Sequence, residues 1–237
     1  MYLENIVFDA VDPRRVGRFW QDLLGCEQLT DSSEGFETRL AVPGGPTLDL
    51  CFQQVPVLPV DPARLHLELY GGPGQDEVVS AALTRGATRL DIGQGKVPWV
   101  VLGDPEGNAF RVMDDRSDYR DTGALASIPI DSADPDRNSG FWAWLTGWTE
   151  VAAAPRNLRH RSLRGPLLEF VAEPAAKTGA KNRMHLDVRL EAGDDPGAVA
   201  AGIAARGGRE LHPDWGDLPW RIYQDPSGNE FCVLPAP

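Results

Sequence analysis

The stretch GDPEGNAFRVM, from Gly103 to Met113, returns later in the chain as QDPSGNEFCVL, from Gln224 to Leu234. An Asp-Pro-x-Gly-Asn run between short apolar segments is typical of a type I turn with Gly or Asn in the left-handed region. Each copy therefore predicts a hairpin that joins the last two strands of a repeated unit. One slot of the repeat differs in its chemistry, because it holds Arg111 in the first copy and Cys232 in the second.

The likeness between the two halves extends over most of the 237 residues. The other matching segments are 7–27 with 129–150, RLHLEL (64–69) with RMHLDV (183–188), and the Pro-Trp pairs that end at Trp99 and Trp220. So many matches in one order indicate a duplication. We place the halves at 1–118 and 119–237. The polar segment DDRSDYRDTG (114–123) predicts an exposed linker between them.

Composition restricts the classes of partner. The chain is 42% hydrophobic and 24% charged, with a net charge of −12 and a pI near 4.7. An acidic balance repels phosphate backbones, so we predict no nucleic-acid partner. No stretch of about 18 apolar residues predicts a membrane span, and the first residues lack the pattern of a secretion signal. Three widely spaced cysteines argue against a disulfide framework, and we predict a cytoplasmic location.

Local signals predict an α+β fold in which each half repeats a strand-helix-three-strand unit. Asp-Pro pairs at 12–13 and 134–135 supply an N-cap and a first helical residue, and Gly25 and Gly147 stand where a helix ends. These signals predict helices at 13–24 and 135–146, and similar ones predict helices at 75–85 and 196–206. Short apolar segments before each Asp-Pro predict strands.

Four such units, with DPRRVGRFWQDLLG (12–25) after the first strand and DP(E/S)GN(A/E)F closing each half, resemble the vicinal oxygen chelate superfamily. That superfamily includes glyoxalase I, extradiol dioxygenases, and the fosfomycin and bleomycin resistance proteins. The resemblance covers nearly the whole chain and is strongest to bacterial glyoxalase-like tandem proteins. It implies two tandem domains, each of two βαβββ modules in a curled mixed sheet. A duplication within one chain suits a monomer with a pseudo-dimeric arrangement, and a homodimer is the alternative.

In metal-dependent members of the superfamily, four equivalent strand positions hold the ion. The resemblance assigns them to Asn5, Asp49, His66 and Arg111 in the first half, and to Ser127, Glu169, His185 and Cys232 in the second. Arg111 is a permanent cation that cannot ligate a metal, so we predict no cofactor in the first half. The alternative for the second half is a divalent metal held by Glu169, His185 and Cys232.

Strand alternation gives evidence that does not depend on the resemblance. Residues two apart share a face, so each half acquires one apolar face and one polar face. The predicted polar residues are Asp49, His66, Glu68 and Arg111 in the first half, and Glu169, His185, Asp187 and Cys232 in the second. His66 with Glu68, and His185 with Asp187, form candidate catalytic pairs in which a carboxylate orients an imidazole. The alternative for each pair is a hydrogen-bonded group that seats the sheet.

The candidate substrate-binding residues lie on the same polar faces or near the mouths of the predicted clefts. They are Asn5, Asp49, Arg111, Ser127, Trp99 and Trp220. We therefore predict a small-molecule binding protein or a metal-independent enzyme. One alternative is a metal-dependent enzyme, either a lyase of the glyoxalase kind or a dioxygenase. Another is a resistance-type protein that sequesters an aromatic or cationic drug without turnover.

Overall fold

A computed structural model describes residues 1–213 and 216–237 and shows an α+β fold of four βαβββ modules. The first module contains β1 (Tyr2–Ala10), α1 (Pro13–Leu24), β2 (Glu27–Asp31), β3 (Gly35–Ala41) and β4 (Thr47–Gln54). The second contains β5 (Leu67–Tyr70), α2 (Gln75–Thr84), β6 (Thr88–Arg89), β7 (Val100–Gly103) and β8 (Ala109–Met113). The predicted fold class is confirmed.

The second half repeats this order. The third module contains β9 (Leu125–Ser132), α3 (Pro135–Thr146), β10 (Thr149–Val151), β11 (Ala154–Arg159) and β12 (Leu167–Ala172). The fourth contains β13 (Met184–Arg189), α4 (Pro196–Ala205), β14 (Arg209–Leu211), β15 (Arg221–Gln224) and β16 (Glu230–Leu234). One-turn 3-10 helices lie at Gly72–Gly74 and Ser117–Tyr119. No helix among the described residues has the length and apolar character needed to cross a bilayer.

The helix boundaries follow the capping signals of the sequence. The Asp12 side chain accepts a hydrogen bond from the Arg15 amide at the start of α1, and Asp134 does the same for Arg137 at the start of α3. Both helices end at a glycine with φ of 70°. A side chain at such a φ is strained, which explains why glycine follows each helix.

The modules combine into two mixed sheets in an order that sequence analysis did not predict. Sheet A has the order β14-β15-β16-β13-β1-β4-β3-β2, and sheet B has the order β10-β11-β12-β9-β5-β8-β7-β6. The first module thus shares a sheet with the fourth, and the second with the third. The first strands join antiparallel at the centre of each sheet, where Asn5 faces Asp187 and Glu68 faces Ser127.

The first and second modules, and likewise the third and fourth, lie in different sheets and meet through the helix-bearing faces. The Trp20 ring of α1 lies 5.0 Å from the Phe110 ring of β8, and the Trp142 ring of α3 lies 5.3 Å from the Phe231 ring of β16. These rings belong to one continuous core cluster that includes residues of both sheets. Since the helix-bearing faces are buried against each other, the polar faces of the two sheets point away from the core.

The repeated Asp-Pro-x-Gly-Asn motif forms the predicted hairpin turn and also fastens a helix. In the first copy, the amide of Gly107, whose φ is 78°, donates to the Asp104 carbonyl. The buried Asp104 carboxylate accepts hydrogen bonds from Asn108 and from the indole N–H of Trp20 at 3.1 Å. Asp225 accepts the equivalent indole bond from Trp142 in the second half. The motif therefore connects the helix of one module to the hairpin of the next.

Candidate functional site

The polar face of sheet A encloses a cleft of about 1140 Å³, which we call cleft A. All eight strands of the sheet contribute to its lining. Its floor is formed by the two central strands, where Asn5 and Val7 of β1 lie opposite Asp187 and His185 of β13. The sheet must therefore curl around this space, as the resemblance implied.

Three buried groups meet on the floor of cleft A. Donor atoms of His185, Asp187 and Cys232 all lie within 4.8 Å of one another. Nε2 of His185 is 3.4 Å from Oδ1 of Asp187, and Asn5 donates from Nδ2 to Oδ2 of Asp187 at 3.0 Å. Nδ1 of His185 and Oδ1 of Asp187 have no hydrogen-bond partner among the described residues. Buried polar atoms are rarely left in this state, so both are candidates for contact with a ligand.

Burial sets the protonation of this group. It lowers the pKa of His185 to about 3, with a smaller contribution from the charge of Lys181, so the imidazole is neutral at neutral pH. Burial raises the pKa of Asp187 to about 7, against the opposing effect of the Asn5 hydrogen bond and of the nearby Cys232 thiol. It also raises the pKa of Cys232, which remains a thiol. A carboxyl group that titrates near neutral pH can take up and release protons at that pH.

The walls of cleft A differ in polarity. One side is apolar and is formed by Leu211, Leu218, Trp220, Ile222 and Leu234. The other side carries polar groups, among them Thr30, whose hydroxyl donates to the carboxylate of Glu37 at 3.1 Å. At the same cleft, the Lys181 ammonium binds both oxygens of buried Asp9 at 2.6 Å. The cleft thus offers an apolar surface beside a polar floor, the usual character of a small-molecule site.

Cys51 is a further thiol in cleft A that sequence analysis did not select. It pairs with Val7 in the β1–β4 ladder and therefore shares the cleft-facing side with Asn5 and His185. Burial raises its pKa, which makes it a weak nucleophile. The alternation of TLDLCF already placed this residue on the polar face, so that pattern was a usable signal.

Asp49 is engaged by an arginine. Arg39 donates from Nε and Nη2 to the two carboxylate oxygens of Asp49 at 2.8 and 2.7 Å. This bidentate pair uses both oxygens, and Asp49 does not line cleft A. The expectation that Asp49 shares a face with His66, Glu68 and Arg111 is wrong, because Asp49 belongs to sheet A and the other three belong to sheet B.

The polar face of sheet B, which we call the second face, is organised around Glu68. The Glu68 carboxylate accepts hydrogen bonds from Arg111 at 2.9 Å, Ser127 at 2.7 Å and Tyr119 at 3.1 Å. Nε2 of His66 lies 3.6 Å away. Burial alone raises the pKa of Glu68, but His66, Ser127 and Arg111 outweigh it and lower the pKa to about 2. Glu68 is therefore an anion at neutral pH, and both of its carboxylate oxygens accept hydrogen bonds.

The linker covers this second face, which corrects the prediction of an exposed segment. Tyr119 is only 4% exposed and Thr122 is fully buried, although most of their neighbours in the segment are exposed. The Tyr119 ring packs in a cluster with Met113, Ala126 and Leu167. Burial of an aromatic ring outweighs the polar character of the surrounding linker residues. A single aromatic residue in a charged run was the only sequence signal.

Glu169 and Trp99 also lie on the second face. Burial and the nearby charge of Glu68 raise the pKa of Glu169 to about 7. The Trp99 ring lies under the guanidinium groups of Arg111 and Arg116, at 5.6 and 5.4 Å. Trp220 instead lies on the apolar wall of cleft A.

The predicted metal set of Glu169, His185 and Cys232 does not converge, because Glu169 is on β12 of sheet B and the other two are in sheet A. Register also shows that Glu169 corresponds to Cys51, since each lies one residue after the leucine paired with Ile128 or Ile6. The sequence alignment of Glu169 with Asp49 was therefore wrong by two positions. Asp187 takes the place of Glu169 beside His185 and Cys232.

The residues of cleft A fit a divalent cation. A neutral imidazole, a carboxylate and a thiol that ionises on binding form a donor set that zinc and similar ions accept. The unpartnered Nδ1 of His185 and Oδ1 of Asp187 support this fit, since a cation would satisfy buried acceptors. The same atoms can equally accept hydrogen bonds from an organic ligand.

Comparison with known proteins agrees with the repeat. The profile of the glyoxalase-like domain family matches residues 5–113 and again 127–234. A search of curated protein sequences found no match.

Among solved structures, glyoxalase I from Zea mays is similar with a TM-score of 0.64 and 15% identity, over 99% of this chain and 92% of that one. A mutant of that enzyme is similar with a TM-score of 0.65 and 14% identity, over 99% of this chain and 93% of that one. The CppA protein from Streptococcus pneumoniae is similar with a TM-score of 0.50 and 13% identity, over 100% of this chain and 98% of that one. At such identities the likeness concerns the fold alone.

Proposed function

Because the chain belongs to the glyoxalase-like domain family, we propose that it binds a small organic molecule in cleft A, with His185 and Asp187 at its polar end. The observation that carries this proposal is that His185 and Asp187, each with an unpartnered buried atom, both line a cleft of about 1140 Å³. A ligand hydroxyl or amine that reaches Nδ1 of His185 or Oδ1 of Asp187 supplies the missing partner. Its apolar part packs on Trp220, Ile222 and Leu234.

Asp187 gives this site a route to metal-independent chemistry. A carboxyl group with a pKa of about 7 exchanges a proton with a bound substrate at neutral pH more readily than an ordinary aspartate. Asn5 holds one carboxylate oxygen in place, which leaves the other for the ligand. We infer that Asp187 is the proton-transfer group and that neutral His185 positions the ligand.

The test is a thermal-shift screen of small carbonyl and aromatic compounds, followed by calorimetry on each compound that stabilises the protein. Binding should be lost in Ile222→Trp, which fills the cleft, and weakened at least tenfold in His185→Leu, which removes a buried hydrogen-bond partner. Val60→Trp, at a loop position that is 93% exposed, is the control and should bind as the parent does. Equal binding by the parent and Ile222→Trp would place the ligand elsewhere and contradict the proposal.

The close approach of three donor atoms favours a second candidate, a metal-dependent enzyme. His185, Asp187 and Cys232 would hold the ion, which would polarise a ligand oxygen. Purification without chelators and metal analysis test this candidate, with His185→Ala as the variant that should lose the ion. Cobalt-loaded protein should show thiolate absorption that disappears in Cys232→Ser and persists in Cys51→Ser, the matched cleft thiol. Absence of stoichiometric metal in the parent contradicts this candidate.

The third candidate function is that of a protein that binds a compound in cleft A without converting it. The net charge of −12 suits a cationic aromatic compound, as expected for a sequestering protein. Calorimetry with a bleomycin-type compound distinguishes it, because a sequestering protein binds the compound and returns it unchanged. No heat of binding across cationic aromatic compounds removes this reading and leaves the enzyme candidates.

A further inference from the structure

The second face holds a tyrosine that makes the contacts expected of a bound ligand. Tyr119 comes from the linker and not from a strand of the sheet, and its hydroxyl donates to Oε2 of Glu68 at 3.1 Å. Its ring occupies an apolar slot between Met113, Ala126 and Leu167. The slot therefore recognises an aromatic ring and a hydroxyl group together.

Two more groups lie against the ring, Tyr70 from β5 and Arg116 from the linker itself, and only Tyr70 stays in place when the linker is released. The Arg116 guanidinium lies 5.9 Å from the ring centre of Tyr119, and the Tyr70 ring meets it edge-on at 6.4 Å. A cation over the face and an aromatic edge are favourable partners for a phenol. Glu68 is held by Ser127 and Arg111 as well, so the hydroxyl acceptor is fixed in place before any ring enters.

Beyond this ring, the linker is attached through buried Thr122, through Arg116 over the Trp99 ring, and through a small number of hydrogen bonds. Residues 114–123 take no part in either sheet, whereas the Ala124 carbonyl after them accepts a hydrogen bond from the Tyr70 amide of β5 at 2.9 Å. Their contacts to other segments include hydrogen bonds from Tyr70 to Asp115 at 2.9 Å, from the Gly165 amide to the Asp121 carbonyl at 2.9 Å, and from Arg159 to the Arg120 carbonyl at 2.5 Å. Segments held by a few exposed hydrogen bonds open at a lower free energy than the sheets they cover.

We propose that the second face is a binding site for a phenol, that the chain fills it with its own Tyr119, and that release of the linker opens it to an external ligand. The linker then acts as an internal competitor. A phenolic compound must displace Tyr119, so its affinity for the parent chain is lower than the slot itself provides. This site is separate from cleft A, and the proposal does not depend on the function assigned there.

The first test removes the internal ligand and supplies it from outside. Tyr119→Ala should bind p-cresol, the isolated tyrosine side chain, with a rise in melting temperature that saturates at one site. Toluene, which has the ring without the hydroxyl, should bind at least tenfold more weakly, because it leaves the Glu68 carboxylate without a donor. In Tyr119→Ala combined with Glu68→Gln, this preference for p-cresol over toluene should shrink. The matched control Tyr119→Phe keeps the ring and should show no p-cresol site.

Failure of p-cresol to bind Tyr119→Ala, or equal binding to Tyr119→Phe, overturns the proposal. If Tyr119→Ala does not fold, refolding in p-cresol and in toluene is compared, and recovery in p-cresol alone is the expected result. Hydrogen exchange on the unmodified chain gives an independent measurement. Amides at 119–122 should exchange at least tenfold faster than those of β5 and β8, and faster still in p-cresol. Exchange of both segments in a single global event contradicts the release of the linker.

Discussion

Asn5 and Asp187 are 182 residues apart in the chain, yet the Asn5 amide donates a hydrogen bond to the Asp187 carboxylate at 3.0 Å. The pair joins β1 of the first module to β13 of the fourth, at the centre of sheet A. One oxygen of Asp187 is thus committed to the sheet, while the other has no hydrogen-bond partner among the described residues and lies 3.4 Å from Nε2 of His185. The geometry of cleft A depends on this contact between the two ends of the fold.

Asp187 should make the protein less stable as the pH rises. Its pKa is about 7 in the folded protein and 3.8 ordinarily, so between these values the folded chain holds a proton that the unfolded chain has released. Unfolding therefore becomes easier as the pH rises through this range. Relative to the parent in chelator, Asp187→Asn should gain up to about 4 kcal/mol between pH 4 and 8. Urea unfolding at several pH values measures this, and a pH-independent difference contradicts the burial of a titrating carboxyl group.

His185 should have the opposite effect. Its pKa is about 3 in the folded protein and 6.5 ordinarily, so its stabilising contribution is complete above pH 6.5 and is lost as the pH falls toward 3. His185→Gln should lose less stability than the parent on acidification, by up to about 5 kcal/mol. Between pH 3.8 and 6.5, His185 and Asp187 change the free energy of unfolding in opposite directions as the pH changes. The two effects partly cancel in the parent, so only the single variants show each one. Chemical unfolding in chelator, with both single variants and the double variant, separates them.

Glu68→Gln should destabilise the protein by about 3 kcal/mol at pH 7, because it removes the buried anion to which half-buried Arg111 donates. The Glu68 pKa is about 2 in the folded protein and 4.5 ordinarily, so its contribution is present above pH 4.5 and disappears as the pH falls through 2. The difference from the parent should narrow over that range. Asp136→Asn breaks the exposed pair with Arg156, which is 2.7 Å long, and should change stability little. A similar loss of stability in both variants would show that burial on the second face does not strengthen the ion pair of Glu68 with Arg111.

The local parts of this fold could be predicted because they depend on nearby residues. Asp12 and Gly25 mark the two ends of α1, and the period of two in TLDLCF separates buried Leu50 from cleft-lining Cys51. The pairing of the modules depends on which faces pack together over the whole chain. Trp20 reaches across to Phe110 and Asp104, which sets the first and second modules face to face, and no local pattern encodes that choice.

The candidate site was predicted in part for the same reason. His185, Asp187 and Cys232 share a cleft because all three belong to the fourth module, where strand alternation was sufficient. Glu169 was assigned to them on the basis of chain order, but its module supplies the other sheet. Tyr119 was missed because a single aromatic residue in a polar linker has no periodicity. Its buried ring nevertheless fills the second face, on sheet B.

The carboxylate of the repeated turn should be among the most sensitive positions in the chain. Asp225 accepts hydrogen bonds from the indole of Trp142, from the Asn138 side chain and from the amides of Ser227 and Asn229, all of which are buried. Asp225→Ala leaves these donors without an acceptor. It should lower the free energy of unfolding by about 4 kcal/mol or more, since each unsatisfied buried donor costs roughly 1 to 3 kcal/mol.

Two variants separate this role of Asp225 from simple turn chemistry. Trp142→Phe removes the indole bond and part of a buried ring but leaves the other three donors paired, so it should cost about 2 to 3 kcal/mol, less than the loss of the carboxylate. Asp91→Ala also removes a carboxylate that accepts a backbone hydrogen bond, from Gly93 at 2.9 Å, but in an exposed loop, and should matter little. Calorimetric melting of the three variants gives the order Asp225→Ala, Trp142→Phe, Asp91→Ala from largest to smallest loss. If Asp225→Ala were no worse than Asp91→Ala, the motif would be a turn and nothing more, and the connection between the third and fourth modules would have to come from packing of the rings alone.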